Sequence, residues 1–267
     1  MQCPFPMSIK NTVTGKYIAV PCGKCPSCQI NRREDWTIRL MEEYKASKYA
    51  YFITMTYDDD NMNEGCNVVK KDLQDFFKRF RHNQETKIKY YAIGEYGTKF
   101  HRPHYHILLF MLEPLNYDKL QQKWDKGLTH VGGVNIKSIS YVCKYHINRT
   151  TYPQGREPPF CLSSKLLGIQ YVAKMQEYHS EDTSRAYYQQ YEFKKKIPRY
   201  YKDKIYSKEE KEKISLAIRD QSDKKEVNDF NRLLKRFTPR QIFHDKLTAQ
   251  QVKDSKYRQK SNTNDKF

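Results

Sequence analysis

The chain has 267 residues, 38% of them apolar, which is enough for one sizeable hydrophobic core with appendages or for two small domains. Its 49 Lys and Arg against 31 Asp and Glu give a formal net charge of +18, which favours a polyanionic partner such as nucleic acid or an anionic membrane surface. The sequence lacks an amphipathic membrane helix, an apolar run long enough to cross a bilayer and a secretory signal, so we expect an intracellular protein without a membrane partner.

The aromatic and cysteine contents narrow the expected partner and the expected chemistry. Twenty-two Tyr and 13 Phe are interleaved with the basic residues, and this mixture suits stacking on unpaired bases while cations follow the phosphates. Single-stranded nucleic acid is therefore the expected partner. Seven cysteines, an odd number, argue against a disulfide framework and for metal binding or buried thiols.

The first part of the chain alternates strand and helix patterns. Residues 16–21 predict a short strand, and a cysteine-rich segment separates it from a helix in which Trp36, Leu40 and Tyr44 recur at four-residue steps. The β-branched and aromatic run 51–57 predicts a central strand. An amphipathic helix that covers a sheet is predicted next, from the apolar positions Val69, Leu73, Phe76, Phe77 and Phe80.

The middle of the chain completes the predicted sheet. The pattern indicates two neighbouring strands, a short helix, a further strand and a helix that carries paired tyrosines. This order predicts an α+β fold with a largely antiparallel central sheet flanked by helices. The elements are expected around residues 88–93, 104–111, 120–124 and 134–137, followed by the helix with Tyr141 and Tyr145.

The pattern weakens after Pro153. Ser207 to Glu210 resembles a capping box that starts a charged helix, and apolar positions from Val227 to Phe237 indicate another helix. From about Asp254 the chain is polar and expected to be flexible. The predicted organisation is a cysteine-rich N-terminal segment with a helix packed on the core (1–48), the core itself (49–152), a helical C-terminal extension (153–253) and a tail (254–267).

Two histidines form the strongest candidate for a metal site. His104 and His106 lie two apart in a strand pattern, so their imidazoles point the same way and can close on one divalent ion. Glu95 is the predicted third ligand, because antiparallel pairing of the preceding strand returns it beside both histidines. His101 is a weaker alternative ligand, and Glu95 can instead be a turn residue paired with Arg102.

The paired tyrosines are the candidate nucleophiles. At about 100° per residue, Tyr141 and Tyr145 fall together on the side of their helix opposite its apolar stripe, which favours a polar cleft or a ligand over core packing. Lys144 projects from the same half, where a cation can steady a phosphate or favour a phenolate. For phosphate chemistry the histidine site suits a hard ion such as Mg²⁺ or Mn²⁺. The apolar stripe consists of Ile139, Val142, Cys143 and Ile147.

Six stretches form an ordered set of motifs, and together they resemble those of HUH-superfamily rolling-circle replication initiators, most closely the initiators of gokushovirus-type microviruses. The resemblance covers roughly residues 1–205, and its motif order makes accident unexpected. One departure is Leu-Gly-Ile-Gln at residues 167–170, where members commonly carry Pro-Gly-Ile-Gly. The six stretches are residues 22–28 with Arg32, Arg33 and Trp36, then residues 51–57, 94–97, 102–106, 141–145 and 197–202.

The resemblance implies the HUH endonuclease fold, with His104 and His106 on a middle strand and the tyrosine helix over the site. It implies nicking of single-stranded DNA at an origin: the metal polarises the phosphate, and Tyr141 or Tyr145 forms a 5′-phosphotyrosyl link that a 3′-OH later reseals. Two tyrosines would serve two rounds. Since no nucleotide-binding Gly-Lys-Ser/Thr loop occurs, a helicase and other replication proteins are expected from a bacterial host, in its cytoplasm.

The cysteine-rich segment has several interpretations. Cys22, Cys25 and Cys28 have C-x₂-C-x₂-C spacing, and Cys3 can supply a fourth thiolate for a structural zinc ion. Iron–sulfur clusters use similar runs, and thiols without metal are the simplest alternative. Nearby bases also make the segment a candidate DNA-contacting arm. The predicted DNA contacts are Arg32 and Arg33 here, and Lys99 and Arg102 beside the histidines.

The expected function is therefore rolling-circle initiation by nicking and religation. A plasmid replication initiator or relaxase with the same chemistry is the nearest alternative. From a different class, a non-catalytic basic protein that binds single-stranded nucleic acid shares the charge and the aromatics, and its histidines would then be structural.

Overall fold

The structure is a computed structural model that describes residues 3–12, 15–82, 84–97, 99–144 and 152–263. Tyr145, the second predicted nucleophile, lies outside the described residues, as does Ile147 of the predicted apolar stripe. Within these ranges no helix is both long and apolar enough to span a membrane. The chain forms two units, residues 1–23 with 27–171 and residues 24–26 with 172–267.

The first unit follows the predicted α+β order. A two-stranded hairpin precedes a long helix, and the remaining strands and helices then alternate around one sheet. In chain order its elements are β1 (Met7–Lys10), β2 (Tyr17–Val20), α1 (Pro26–Ala46), β3 (Tyr49–Thr56), α2 (Lys70–Arg81), β4 (Lys89–Tyr96), β5 (Pro103–Met111), α3 (Tyr117–Lys123), β6 (Thr129–Gly133), α4 (Ile136–Lys144) and β7 (Phe160–Ser163).

The central sheet has five strands in the order β6-β3-β5-β4-β7, and every neighbouring pair is antiparallel. The predicted α+β class with an antiparallel sheet is therefore confirmed, and the arrangement is consistent with an HUH-type fold. β5 occupies the middle of the sheet, with β3 and β4 hydrogen-bonded to its two edges. Apart from its two histidines, its side chains are apolar or aromatic and buried, as expected for a strand covered on both faces.

One face of the sheet is covered by α2. Its four buried side chains recur at helical spacing, and burying each one contributes about 1.5–3 kcal/mol relative to an exposed position. They pack on alternate residues of β3 and β5, including Ile53, Met55 and Ile107. The buried side chains of α2 are Leu73, Phe76, Phe77 and Phe80.

The opposite face is covered by α1 and α4. Leu40 of α1 and Ile139 of α4 belong to a second buried cluster that contains Leu108 and Phe110 of β5. Trp36 is half-buried against this cluster, with its ring 4.9 Å from that of Tyr91, so its predicted role in packing is confirmed. The two faces of β5 therefore serve different helices, and the histidines share the α4 face.

A buried carboxylate ties α1 to the segment in which the sequence departs from the family pattern. Glu43 is only 4% exposed. Its Oε2 atom accepts a hydrogen bond from the Gly168 amide at 2.8 Å and lies 2.8 Å from the Lys89 Nζ. Gly168 has φ +73°, a conformation that residues with a side chain rarely adopt. The Leu-Gly-Ile-Gln segment thus keeps a glycine where the backbone requires one.

The second unit is helical with one small hairpin. Ser207 and Glu210 form a reciprocal capping box at the start of α7, which confirms the predicted helix start. The elements of the C-terminal part are α5 (Gln170–Glu181), a 3-10 helix (Thr183–Arg185), β8 (Tyr187–Gln190), β9 (Phe193–Lys196), α6 (Arg199–Ile205), α7 (Lys208–Leu234) and α8 (Pro239–Thr263).

Three sequence expectations differ from the structure. The strand predicted at 134–137 is wrong, because β6 lies earlier and α4 already begins at Ile136. The apolar positions from Val227 onward do not start another helix, since a single helix runs from Lys208 to Leu234. A four-residue edge strand, Phe160–Ser163, has no counterpart in the prediction.

Candidate metal and nucleophile site

Three ligand-type side chains meet at one end of β4 and β5. The antiparallel register pairs Glu95 with His104, and strand alternation puts His106 on the same face. The Nε2 atoms of His104 and His106 lie 3.1 and 3.0 Å from the same carboxylate oxygen, Glu95 Oε1. The pairing of Glu95 with both histidines, predicted from the strand pattern, is what the structure has.

The carboxylate of Glu95 is buried and only partly satisfied. The residue is 3% exposed, and its Oε2 atom has no hydrogen-bond partner in the described part of the chain. A buried ionised carboxylate is costly unless a cation or donors compensate it. Glu95 therefore has the environment expected of a group whose partner is a bound cation.

Contacts on the far side of each imidazole fix its orientation. The Nδ1 atom of His104 lies 3.2 Å from the Arg102 carbonyl, which only accepts, so Nδ1–H donates there. The Nδ1 atom of His106 lies 3.0 Å from the Thr54 hydroxyl. With Nδ1 of His104 protonated, its neutral ring directs the Nε2 lone pair toward Glu95. Outer hydrogen bonds of this kind orient histidines that ligate metals.

Burial also favours the ligand form of His106. The side chain is largely withdrawn from water, and this desolvation lowers the pKa of His106 below its usual range, although the neighbouring Glu95 carboxylate opposes the shift. A neutral imidazole is the form that binds a metal ion.

The donor set fits a divalent cation. One ligand atom from each of Glu95, His104 and His106 lies within 4.8 Å of the others, and the group is largely buried. Two imidazoles and one carboxylate on one side of an ion suit first-row divalent metals and leave further positions for water or substrate oxygens. His101, the weaker alternative ligand, has left-handed backbone geometry in the loop before β5 and does not belong to this group.

The predicted nucleophile Tyr141 lies beside the ligand group. Its ring centroid is 5.4 Å from that of His106, and the two rings are nearly perpendicular. Ile139, Val142 and Cys143 are buried on the apolar side of α4, as the stripe predicts, whereas Tyr141 is half-buried at the margin of the core. Lys144 is the last residue of α4 and is half-buried. The helix pattern therefore correctly separated Tyr141 from the buried stripe.

The predicted DNA-contacting bases have different surroundings. The Arg102 guanidinium lies 2.6 Å from Asp59 and donates to the Tyr57 carbonyl, so the alternative pairing with Glu95 is wrong. Lys99 lies over the exposed Phe100 ring, with 5.0 Å between Nζ and the ring centroid. On α1, Arg32 is exposed and Arg33 is half-buried.

The four N-terminal cysteines also come together. One sulfur atom from each of Cys3, Cys22, Cys25 and Cys28 lies within 4.8 Å of the others. The backbone N–H of Cys22 donates to the Cys3 sulfur at 3.4 Å. N–H groups directed at sulfur stabilise thiolate charge, so this arrangement has the chemistry of a metal-binding group.

Sequence reasoning missed two residues around His106. Phe52 stacks on its imidazole at 5.3 Å with 17° between the ring planes, and Thr54 contacts its Nδ1 atom. Both lie on β3, where Thr54 is the register partner of His106. The alternation within the 51–57 run places these two residues on one face, but it does not specify which residue of β5 they oppose.

The other face of β5 carries a polar group of a different kind. Tyr105 is fully buried, and its hydroxyl lies 2.6 Å from that of Tyr57 and 2.9 Å from both the N–H and the carbonyl of Val69. The Tyr57 hydroxyl in turn donates to Asp72 at 2.7 Å. Burial is the main cause that raises the pKa of Tyr105, to about 12.

Comparison with known proteins confirms the resemblance to phage replication-associated proteins that the motifs indicate. Residues 50–150 match the model of a family described as replication-associated protein ORF2. Replication-associated protein ORF2 of Spiroplasma virus 4 is 27% identical over 237 residues, which cover 74% of this chain and 74% of that protein. Replication-associated protein VP4 of Bdellovibrio phage phiMH2K is 28% identical over 215 residues, 69% of this chain and 67% of that protein.

Two further similarities are more limited. Replication-associated protein ORF4 of Chlamydia phage 1 is 27% identical over 150 residues, which cover 47% of this chain and 37% of that protein. The solved structure of the hypothetical protein ORF119 from Sulfolobus islandicus rod-shaped virus 1 covers 42% of this chain and 91% of its own at 21% identity. Its TM-score of 0.30 is too low to support a common fold.

Proposed function

We propose that this chain, which is similar to replication-associated proteins of small phages, initiates rolling-circle replication by nicking and religating single-stranded DNA at an origin. The observation that carries the proposal is the convergence of Glu95, His104 and His106 on one point, with the Tyr141 ring 5.4 Å from the ring of His106. A buried ligand group beside a phenol is the arrangement that a metal-assisted phosphodiester exchange needs.

Glu95, His104 and His106 are the residues that would hold a divalent ion, Mg²⁺ or Mn²⁺. Such an ion supplies Lewis-acid polarisation of the scissile phosphate and offsets its developing negative charge. The protein keeps the ligand atoms in place through the Arg102 carbonyl and the Thr54 hydroxyl behind the two imidazoles. These ligands sit on adjacent hydrogen-bonded strands, so their spacing does not depend on a loop.

The proposed reaction exchanges one ester for another. The phenol oxygen of Tyr141 or Tyr145 forms a bond to phosphorus, the bond from phosphorus to the 3′-oxygen breaks, and the phenol proton is in balance transferred to that oxygen. The products are a 5′-phosphotyrosyl link and a free 3′-OH. A phenol has an ordinary pKa of about 10, so its proton must be removed or its phenolate stabilised during attack. Lys144, at the end of the same helix, is the proposed cation for this task.

Because the new ester is as reactive as the old one, a 3′-OH can attack it and reseal the strand without ATP. One tyrosine can hold the first DNA end while the other cleaves after a round of synthesis. The proposed setting is the cytoplasm of a bacterial host, which would provide the helicase and the other replication proteins. Lys99, Arg102, Arg32 and Arg33 remain the proposed contacts to the DNA backbone.

Covalent capture tests the proposal. The chain is incubated with labelled single-stranded fragments that tile the genome encoding it, with Mn²⁺, and the products are separated under denaturing conditions. We expect an adduct that EDTA prevents. Failure of every fragment to form one would leave the chain as a non-catalytic binding protein, and an adduct with a plasmid transfer origin would favour the relaxase alternative.

Tyrosine variants identify the nucleophiles. Tyr141→Phe and Tyr145→Phe are each expected to leave part of the adduct, and the double variant is expected to leave none. Tyr117→Phe is the matched control, because Tyr117 is 57% exposed on α3 and takes no part in the site. Adduct in the double variant would place the nucleophile elsewhere.

We also propose that Cys3, Cys22, Cys25 and Cys28 bind a structural zinc ion. Four thiolates around zinc, with Zn–S distances of about 2.3 Å, bring the sulfurs to about 3.8 Å from one another, and the observed spacing within 4.8 Å needs little adjustment. Metal analysis of the purified chain is expected to find one zinc equivalent that Cys25→Ser removes and Cys66→Ser retains. Iron with visible absorbance would instead indicate an iron–sulfur cluster.

A further inference from the structure

The hairpin of the second unit displays large aromatic side chains to solvent. β8 and β9 pair across a two-residue turn of Tyr191 and Glu192. Tyr191 is 81% exposed and Phe193 is 71% exposed, while Tyr188 is buried and anchors the hairpin. All four residues of β9 are exposed. The aromatic rings at this tip therefore contribute almost nothing to the core of the unit.

The backbone at the tip makes the presence of tyrosine costly. Tyr191 has φ +53°, in the left-handed region. That conformation costs a residue with a side chain about 1–2 kcal/mol, and hairpin turns usually place Gly or Asn there. The Gln189 side chain donates to the Tyr191 carbonyl and helps to hold this geometry. Since the fold would be served better by Gly or Asn, the exposed ring has a role outside folding.

Three consecutive lysines adjoin the aromatic tip. Lys194, Lys195 and Lys196 follow Phe193 directly, and Lys194 also lies over the Tyr187 ring with its Nζ 4.2 Å from the centroid. In the described part of the chain no carboxylate lies within ion-pairing distance of these three ammonium groups. Residues 185–199 contain five bases and one acid, Glu192, a surplus of 5 − 1 = +4.

We propose that this hairpin is a binding surface for single-stranded DNA, in which Tyr191 and Phe193 stack on unpaired bases while Lys194, Lys195 and Lys196 contact phosphates. Strand alternation sends Lys195 to the face of Phe193 and the other two lysines to the opposite face, so cations flank the ring. The inference rests on the proposed function, which makes single-stranded DNA the substrate. Adjacent unpaired lysines are depleted at protein interfaces, whereas they complement a phosphate backbone.

Equilibrium binding in EDTA, where cleavage is not expected, tests the hairpin separately from the chemistry. The probe is a fluorescent thymine 20-mer followed by anisotropy. In the double variant Tyr191→Asn with Phe193→Ala, we expect affinity to fall at least about tenfold, since each stacked base contributes strongly. Asn tolerates the left-handed turn, so the melting temperature should not fall. Phe243→Ala is the control, because Phe243 is 70% exposed on α8 of the same unit.

A lysine variant separates charge from stacking. Replacing Lys194, Lys195 and Lys196 by Gln is expected to make the dependence of log affinity on log salt shallower by about 2, at about 0.7 per lost phosphate contact. The aromatic double variant should keep the slope of the unmodified chain. It should also lose more affinity for the thymine 20-mer than for a 20-base-pair duplex, whose bases are already stacked.

Two results would overturn the hairpin proposal: unchanged affinity in a folded aromatic variant, or an equal loss on single-stranded and duplex DNA. The proposed nicking activity is judged by the covalent adduct, with Mn²⁺ and saturating DNA, where hairpin variants should still react. If the unmodified chain forms no adduct but the hairpin variants lose affinity, the nicking proposal fails and the hairpin surface stands.

Discussion

The two faces of β5 carry polar groups that differ in how completely the protein satisfies them. On the α2 face, the Tyr105 hydroxyl has three partners within 2.9 Å, all supplied by the chain. On the α4 face, two imidazole nitrogens converge on one oxygen of Glu95, and the other carboxylate oxygen has no partner in the described part of the chain. Residues one position apart on a single strand thus lie in opposite situations.

The difference separates a structural polar group from a group that awaits a ligand. Burying a polar atom is tolerated when the protein provides its hydrogen bonds, and such a network rigidifies the core. An incompletely satisfied buried carboxylate is retained only where something else completes it. Variants on the two faces should therefore have opposite effects: those on the Tyr105 face change stability, and those on the Glu95 face change chemistry.

The largest expected effect is that of His106→Ala. Removing one ligand should lower the rate of adduct formation at least about 10²-fold, as loss of one stabilising group in an electrostatic site does. Affinity for single-stranded DNA should stay within about twofold, because phosphate contacts come mainly from Lys and Arg. His101→Asn is the control, since Asn suits the left-handed backbone there. A parallel loss of binding would show His106 to be structural.

Thr54→Val should have an intermediate effect on the same face. The change keeps the shape of the side chain but removes the hydroxyl that contacts His106 Nδ1. Loss of such an outer hydrogen bond typically weakens metal affinity by about 10–100-fold. The Mn²⁺ concentration for half-maximal adduct formation should rise accordingly, with the maximal rate nearly recovered. Thr54→Ser should restore the original value, and a fall in the maximal rate alone would contradict the positioning role.

Tyr105→Phe should act on stability instead. It leaves the Tyr57 hydroxyl and both backbone groups of Val69 without their shared partner, at a cost of about 1–3 kcal/mol in the free energy of unfolding. Urea unfolding measures the loss, and Tyr117→Phe is again the exposed control. Adduct formation well below the melting temperature should be unchanged. A stable but inactive variant would show that the two faces are not independent.

The smallest expected effect is a difference in alkaline stability. The pKa of Tyr105 is raised by burial to about 12 in the folded chain, against about 10 for an unfolded tyrosine. The neutral phenol therefore contributes stability that is fully present below about pH 10 and is lost as the pH rises through about 12. Urea unfolding at a series of pH values should show a shallower alkaline decline for Tyr105→Phe than for the unmodified chain.

Much of the first unit was predictable because its patterns are long and strong. α2 has four buried apolar residues at helical spacing, and β5 is a continuous apolar run after its histidines. Glu95 was reached by assuming that β4 and β5 are antiparallel neighbours, and the register pairs it with His104. Local periodicity and one short connection were sufficient for these features.

The parts that failed depend on tertiary contacts. β6, Thr129–Gly133, has little apolar alternation, while Val134 to Lys137 imitates a strand. β7 is four residues long and is defined by its pairing with β4. Thr54 and Phe52 gain their importance only when β3 is aligned with β5, and a sequence does not display that register. The hairpin tip at Tyr191 was missed because its backbone conformation contradicts the usual residue preference.

The central position of β5 has a consequence for local opening. Edge strands such as β6 and β7 exchange their amide hydrogens through small fluctuations that break pairing on one side, whereas β5 is released only when β3 or β4 also separates. Amides around His104 and His106 should consequently be among the slowest to exchange in the first unit. A DNA strand could therefore displace or bend the margins of the sheet while the spacing of the two imidazoles stays constant.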